Sequence, residues 1–229
     1  MATVTWDGSS STAWATDANW DTGSAPTDAD DVVIPDTSSL NNPTLGAHVT
    51  INSLTIAANG TLVGGGYRIT VDGENSGGNA VNNDGIISGN LDLYIETQAT
   101  TQIDLNGSSG NFRDVRINHA SCDARLAEAT TIGRDLVIAA GELNTSGSNY
   151  ALTVTGDVTV TGTLTGNASA ISLGSLTINS GGTYTATSAT TTITNRNSNA
   201  KYWENGGGTF THNNGTVKFT DNDHTGIVE

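Results

Sequence analysis

The sequence predicts an all-β chain wound as a parallel β-helix (a β-solenoid), with about 18–24 residues per coil and a tryptophan-rich N-terminal cap. Three observations predict it. First, four near-copies of one tetrapeptide, Asp92-Leu93-Tyr94-Ile95, Asp114-Val115-Arg116-Ile117, Asp135-Leu136-Val137-Ile138 and Asp157-Val158-Thr159-Val160, start 22, 21 and 22 residues apart. Second, each copy alternates aliphatic and variable residues, which is the two-residue period of a strand. Third, the chain holds 28 Gly, 3 Pro and one Met, and no stretch of it carries helical apolar spacing. A repeat of about twenty residues cannot bury its own apolar face, so each must be one coil packed between neighbours.

Two segments are expected, a cap over residues 1–48 and coils over 49–229. Residues 1–36 contain Trp6, Trp14 and Trp20 and two of the three prolines. An open solenoid end exposes unpaired backbone and core, so these tryptophans are expected to cover the first coil. In the coils, Leu54, Leu93, Val115, Leu136, Val158 and Leu176 would form one interior row, with Ser53-Leu54-Thr55-Ile56 and Ser175-Leu176-Thr177-Ile178 read as further copies of the tetrapeptide. Ile56, Ile95, Ile117, Ile138, Val160 and Ile178 would form a second row, and Thr55, Tyr94, Arg116, Val137, Thr159 and Thr177 would point outward.

A glycine corner and a second strand follow in Gly60-Thr61-Leu62, Gly141-Glu142-Leu143, Gly162-Thr163-Leu164 and Gly182-Thr183-Tyr184. Glycine is expected there for positive φ. A third strand is read in Arg68-Ile69-Thr70-Val71, Gln102-Ile103-Asp104-Leu105, Ala151-Leu152-Thr153-Val154 and Ala170-Ile171-Ser172-Leu173. Three short strands per turn give a triangular section, and some eight coils at about 4.8 Å per rung would span roughly 40 Å. Tyr202-Trp203 through Phe219 reads as a last strand-turn-strand coil without a recognisable cap, so further chain or another subunit is expected to cover it.

The net charge of −15 comes from 23 acidic against 8 basic residues. Nucleic acid is excluded as a partner, because phosphate binding needs clustered Lys and Arg. No apolar run approaches the roughly 18–20 residues of a membrane span, so no membrane insertion is expected. Met1-Ala2-Thr3-Val4-Thr5-Trp6 has neither the basic start nor the apolar core of a secretory leader. The single Cys122 rules out an internal disulfide and reads as a small buried thiol.

The opening run Trp6-Asp7-Gly8, Asn19-Trp20, Gly23, Pro26 and Asp30-Asp31-Val32-Val33-Ile34-Pro35 resembles the start of β-strand-repeat surface and fibre proteins. These occur on bacterial cell envelopes and, in related form, in tailed-phage virions. The stretch from Gly207 to Phe219 resembles their terminal coils. The resemblance implies a structural, often adhesive role outside the cell or on a virion, and brings no catalytic residues with it. Bacterial members begin with a leader, whereas phage proteins assemble in the host cytoplasm and need none.

Several constellations could carry chemistry. Carboxylates stacked at one solenoid position repel one another, so Asp92, Asp114, Asp135 and Asp157 need an offset. Each Asp bonding its own turn is the expected answer, and bound calcium is the sharper alternative, these four being the candidate ligands. Asp17, Asp21, Asp28, Asp30 and Asp31 read as a polar loop. Asp104, Asp114, Glu128 and Glu142 are the carboxylates a glycan-cleaving site would draw on, with Arg113, Arg116, Arg125 and Arg134 as cations. No spacing singles out a pair, and Arg113 to Arg134 read more simply as ladder contacts alternating with acids. His48, His119, His212 and His224 lack metal-ligand spacing. No cofactor is expected.

The expected function is therefore that of a non-enzymatic structural or adhesive protein of the virion surface: a tail fibre, a head fibre or a capsid decoration. Trp6, Trp14, Trp20 and Trp203 are the candidate packing or attachment residues. Other virion proteins or host cell-surface glycans are the expected partners, and a homotrimer the expected assembly. A secreted bacterial adhesin and a β-helix polysaccharide lyase or hydrolase are the alternatives.

Overall fold

The computed structural model describes residues 1–195, 201–220 and 227–228, the last pair by backbone alone. The fold is a parallel β-solenoid of about eight turns, 51% strand. One 3-10 turn, Asp17–Asn19, interrupts it. Among the described residues no helix is long and apolar enough to cross a membrane.

The strands stack in three columns, called here faces A, B and C in chain order. Face A runs from Val49–Ile51 through Tyr67–Val71 and Leu91–Ile95, then through the first halves of Val115–Leu126 and Leu136–Asn144. It continues through the second halves of Leu152–Val160 and Ile171–Asn179 to Lys201–Gly206 and Ile227–Val228. Its interior rows are Ile69, Leu93, Val115, Leu136, Val158 and Leu176, and Val71, Ile95, Ile117, Ile138, Val160 and Ile178, each at most 1% exposed. The expected outward row from Tyr94 to Thr177 lies on the opposite side of the same strands and is half-buried.

Face B starts within the first 48 residues. Thr3–Thr5 pairs with Asp31–Ile34, which pairs with Ser53–Ile56 and then Asn79–Asn83. Thr100–Ile103 and the second halves of Val115–Leu126 and Leu136–Asn144 follow, and Thr163–Thr165, Thr183–Thr185 and Thr209–Thr211 complete it. Face C begins with Thr61–Val63 on Ile86–Ser88. Later it is built from Thr130–Ile132, the first halves of Leu152–Val160 and Ile171–Asn179, Thr190–Ile193 and Thr216–Phe219.

Three readings of the coils are corrected. Leu54 and Ile56 belong to face B, between Val32 and Ile34 on one side and Val81 and Asn83 on the other, so they do not share the Leu93 row. The sequence-read third strand divides among faces: Arg68 to Val71 on A, Gln102 and Ile103 on B, Leu152 to Val154 and Ile171 to Leu173 on C. Thr61–Leu62 likewise sits on C, whereas Leu143, Leu164 and Tyr184 share B. The cause is physical. The tetrapeptide encodes a strand and how it starts, and that chemistry serves any face; only distance along the coil fixes which face it occupies.

The corner glycines answer to crowding more than to φ. Of Gly60, Gly141, Gly162 and Gly182, only Gly141 has positive φ, at 75°. At Gly162 a Cβ would lie 2.4 Å from the Gly141 carbonyl oxygen, and at Gly182 it would lie 2.3 Å from that of Val160. Successive coils approach here until no side chain fits.

The cap is a cluster of indoles. Trp6 and Trp14 each meet Trp20 edge-on, with ring centroids 5.0 and 4.8 Å apart. The Trp6 Nε1–H donates to the Asn41 carbonyl at 2.6 Å and the Trp20 Nε1–H to the Trp14 carbonyl at 2.8 Å, so both buried donors are satisfied. Buried Asn19 ties the loop together: its Oδ1 accepts the Ser10 and Ser11 amides, and its Nδ2 donates to Ser11 Oγ and the Ala13 carbonyl. The far coil is open by contrast. Trp203, Phe210, Val217 and Phe219 line an apolar cleft of about 280 Å³, with Phe210 37% and Phe219 42% exposed.

Gly162→Ala is expected to destabilise the protein by about 1–3 kcal/mol through overpacking. Gly147→Ala, where a Cβ meets nothing within 4 Å, is the control and should lie near wild type. Thermal unfolding of the two variants checks this, and equal melting temperatures would remove the crowding argument.

Candidate functional site

The aspartate stack forms where each tetrapeptide starts a face A strand, and the sequence provides its own neutraliser. Two of the four aspartates follow an arginine, in Arg113-Asp114 and Arg134-Asp135. Arg113 reaches back one coil and grips Asp92 with two bonds, Nε to Oδ1 at 2.7 Å and Nη2 to Oδ2 at 2.6 Å. Arg134 makes the same bidentate contact to Asp114. Each arginine also faces its own neighbour, Arg113 to Asp114 at 3.7 Å and Arg134 to Asp135 at 3.2 Å. The product is a zipper of alternating charge, Asp92–Arg113–Asp114–Arg134–Asp135, along the rod. The bonded carboxylates hold both guanidinium groups above the usual arginine range.

Past Asp135 the zipper runs on hydrogen bonds. The Asp157 amide donates to Asp135 Oδ1 at 2.9 Å, and the Ser175 hydroxyl donates to Asp157 Oδ1 at 2.8 Å. The expectation that each Asp bonds its own turn is therefore corrected: these carboxylates bond the next coil. The same device recurs on face B, where the Ser53 hydroxyl and Asn52 Nδ2 both donate to Asp31 Oδ1 at 2.6 Å. Asp31-Val32-Val33-Ile34 is thus a further copy of the tetrapeptide, placed 22 residues before Ser53. The offset of one coil was the signal that would have found it. Among the described residues no group of three or more His, Cys, Asp or Glu side chains is arranged to hold a metal ion.

One carboxylate pair was not legible from spacing. The Ala127 amide bonds the Ile103 carbonyl at 2.9 Å, which sets Ala127 opposite Asp104 and brings Glu128, one residue further on, close to Asp104 on the adjacent coil. Burial pushes the Asp104 carboxyl up to about 6, with the nearby Glu128 and Asp84 charges adding to the rise and the Asn106 amide opposing it. Glu128 Oε1 is buried and without a hydrogen-bond partner among the described residues. A proton on Asp104 supplies that partner. Asp114 belongs to the zipper, and Glu142 accepts from Asn144 at 3.0 Å, so neither joins the pair. Arg125 is held by Asp123 on its own strand.

The remaining candidates have structural roles. Trp6, Trp14 and Trp20 are 1–4% exposed and Trp203 is 8% exposed, which makes them packing residues. Cys122 is buried, and burial raises its thiol to about 12, so it carries almost no thiolate at neutral pH. His48, His119 and His212 use Nδ1 to accept the Arg68, Ser121 and Asn214 amides, while His224 lies outside the described residues. In the N-terminal acidic cluster Asp30 accepts from the Thr27 amide and hydroxyl, Asp17 from Ala25 and Asp21 from Thr5, each closing a loop.

Two expectations follow. Because arginine takes the place a cation would fill, EDTA or added calcium should leave the melting temperature unchanged, whereas Arg113→Ala should lower stability by about 1 kcal/mol and less at high salt. A fall of several degrees with EDTA would overturn this. For the carboxylate pair, the raised Asp104 pKa means that the folded state holds its proton more tightly than the unfolded chain. The stabilisation is complete below the ordinary value of 3.8 and is lost as pH rises through about 6. Asp104→Asn should therefore be more stable than wild type at about pH 7.5, with the difference closing towards about pH 4. A difference independent of pH in thermal scans would refute it.

Compared with protein-family models, with curated proteins and with solved structures, the chain matches none.

Proposed function

We propose that the protein is a non-enzymatic structural and adhesive element of a virion surface, a tail or head fibre or a capsid decoration that presents a rigid β-solenoid. The observation that carries this reading is the parallel ladder, continuous on faces A and B and interrupted on face C between Ile86–Ser88 and Thr130–Ile132, with the face A aspartates and arginines committed to contacts between coils. Asp92, Arg113, Asp114, Arg134 and Asp135 brace the rod, and little of that polar chemistry is left to face a substrate. A rod of some eight rungs is about 40 Å long, a stiff spacer rather than a long filament.

The two ends support a mounted element. One is sealed by indoles, and the other leaves Phe210 and Phe219 open beside Trp203 and Val217. The exposed apolar surface of Phe210 and Phe219 suits docking to another virion protein or to further copies of the chain, the homotrimer among them. The likeness of the opening segment to β-strand-repeat surface and fibre proteins points to the same role.

Immunogold electron microscopy of the source culture, with antibody raised against this chain, tests the reading. Gold is expected on viral particles, on head or tail. Gold confined to cell envelopes in virus-free cultures would overturn the virion assignment in favour of a bacterial adhesin.

A further inference from the structure

In a chain with 23 acidic and 8 basic residues, a cation without a carboxylate partner is the exception. Arg113, Arg134, Arg125 and Lys201 all have one. Among the described residues Arg68, Arg116 and Lys218 do not. Arg68 and Arg116 lie instead against one ring on the outer side of face A, with Arg68 Cζ 4.5 Å and Arg116 Cζ 5.7 Å from the Tyr94 centroid. The ladder brings the three together: Thr70, Tyr94 and Arg116 are in register on successive coils, and Arg68 precedes Thr70 by two residues on the same side. Two rungs make the group about 10 Å long.

Nearby acids are already engaged. Asp92, in register with Arg68, is held by Arg113, and Glu96 accepts from Asn118 Nδ2 at 2.8 Å. Arg116 uses Nε on Asn118 Oδ1 at 3.2 Å, which leaves its terminal N–H groups free. Arg68 Nε is buried and without an acceptor among the described residues. His48 fixes the site from behind: its Nδ1 accepts the Arg68 amide at 3.0 Å, and its ring packs edge-on against Tyr67 at 5.7 Å.

We propose that Arg68, Tyr94 and Arg116 form a recognition site for a saccharide carrying an isolated carboxylate or sulfate. A guanidinium presents a planar fork of donors to such oxyanions, and stacking on Tyr94 holds that fork in place. Face A is paired throughout its ladder, so a peptide strand cannot add to it, and its Thr and Asn neighbours suit hydroxyl groups better than apolar side chains. The net charge of −15 repels a uniformly charged polymer, which favours a single anionic group on an otherwise neutral glycan. The inference holds whether the rod is mounted on a virion or a cell, so an adverse immunogold result leaves it standing.

Titration by NMR and calorimetry with 3′-sialyllactose, lactose 3′-sulfate and lactose tests it. One or both anionic probes should bind, the two arms separating carboxylate from sulfate, and lactose should not. Arg68→Ala and Arg116→Ala should each weaken binding by about tenfold or more, Arg116→Lys by less, all with unchanged melting temperatures. Arg125→Ala, on face B, should bind as wild type. Failure of both anionic probes to bind, equal binding of lactose, binding that survives the Arg68/Arg116 double substitution, or tighter binding of a glutamate hexapeptide would each overturn the proposal.

Discussion

The spacing of about 4.8 Å between hydrogen-bonded strands governs this molecule. In a parallel solenoid every residue faces its equivalent on the next coil at that distance, so each position must tolerate something close to a copy of itself. Aliphatic side chains do so readily, and rows such as Leu93, Val115, Leu136 and Val158 are buried completely or nearly so. Charges do not. The chain answers repulsion among its aspartates by setting an arginine before Asp114 and Asp135, so that a guanidinium lies between each of these carboxylates and the one on the preceding coil. A Cβ at a tight corner fails as well, which is why Gly141, Gly162 and Gly182 recur there. Interior rows, charge zipper and glycine columns are three responses to one distance.

That constraint also explains how much of the fold was legible in the sequence. Whatever repeats with the coil is visible as a repeat: the tetrapeptides, the outward row from Tyr94 to Thr177, the glycine corners and the final coil ending near Phe219. The tryptophan cap was legible because it departs from the repeat in composition. Face identity was not, since Ser53-Leu54-Thr55-Ile56 carries the same strand chemistry as Asp92-Leu93-Tyr94-Ile95 and sits on another side of the prism. Its start lies 39 residues before Asp92, which is not a whole number of coils of about twenty-two residues. Asp104 and Glu128 stayed hidden for a related reason: they meet across coils of unequal length, where spacing loses its meaning.

The ends divide the labour differently from the middle. At the N-terminal end Trp20 receives the edges of two other indoles, and Asn19 satisfies four polar groups of the surrounding loop, so core and backbone are closed together. At the far end Tyr184 still turns its hydroxyl inward to Thr191 at 2.6 Å, and burial raises its pKa to about 12. One rung later the ring of Phe210 meets solvent. The first coils are thus closed by indoles, whereas Thr209–Thr211 and Thr216–Phe219 leave aromatic surface exposed.

Repetition also supplies a criterion for function. Where a coil position repeats, the residue is explained by stacking. Where it departs from the repeat without gain to the core or the ladder, stacking explains nothing. Threonine is the commonest residue of the outward row of face A, at positions 50, 70, 159 and 177, and a threonine ladder is fully compatible with the strands beneath it. Tyr94 and Arg116 replace it on adjacent coils, and Arg68 leans in beside them with a buried, unpartnered nitrogen. These substitutions leave the interior rows untouched, so the pressure that keeps this solenoid folded does not account for them. The saccharide proposed for this site is what would account for them.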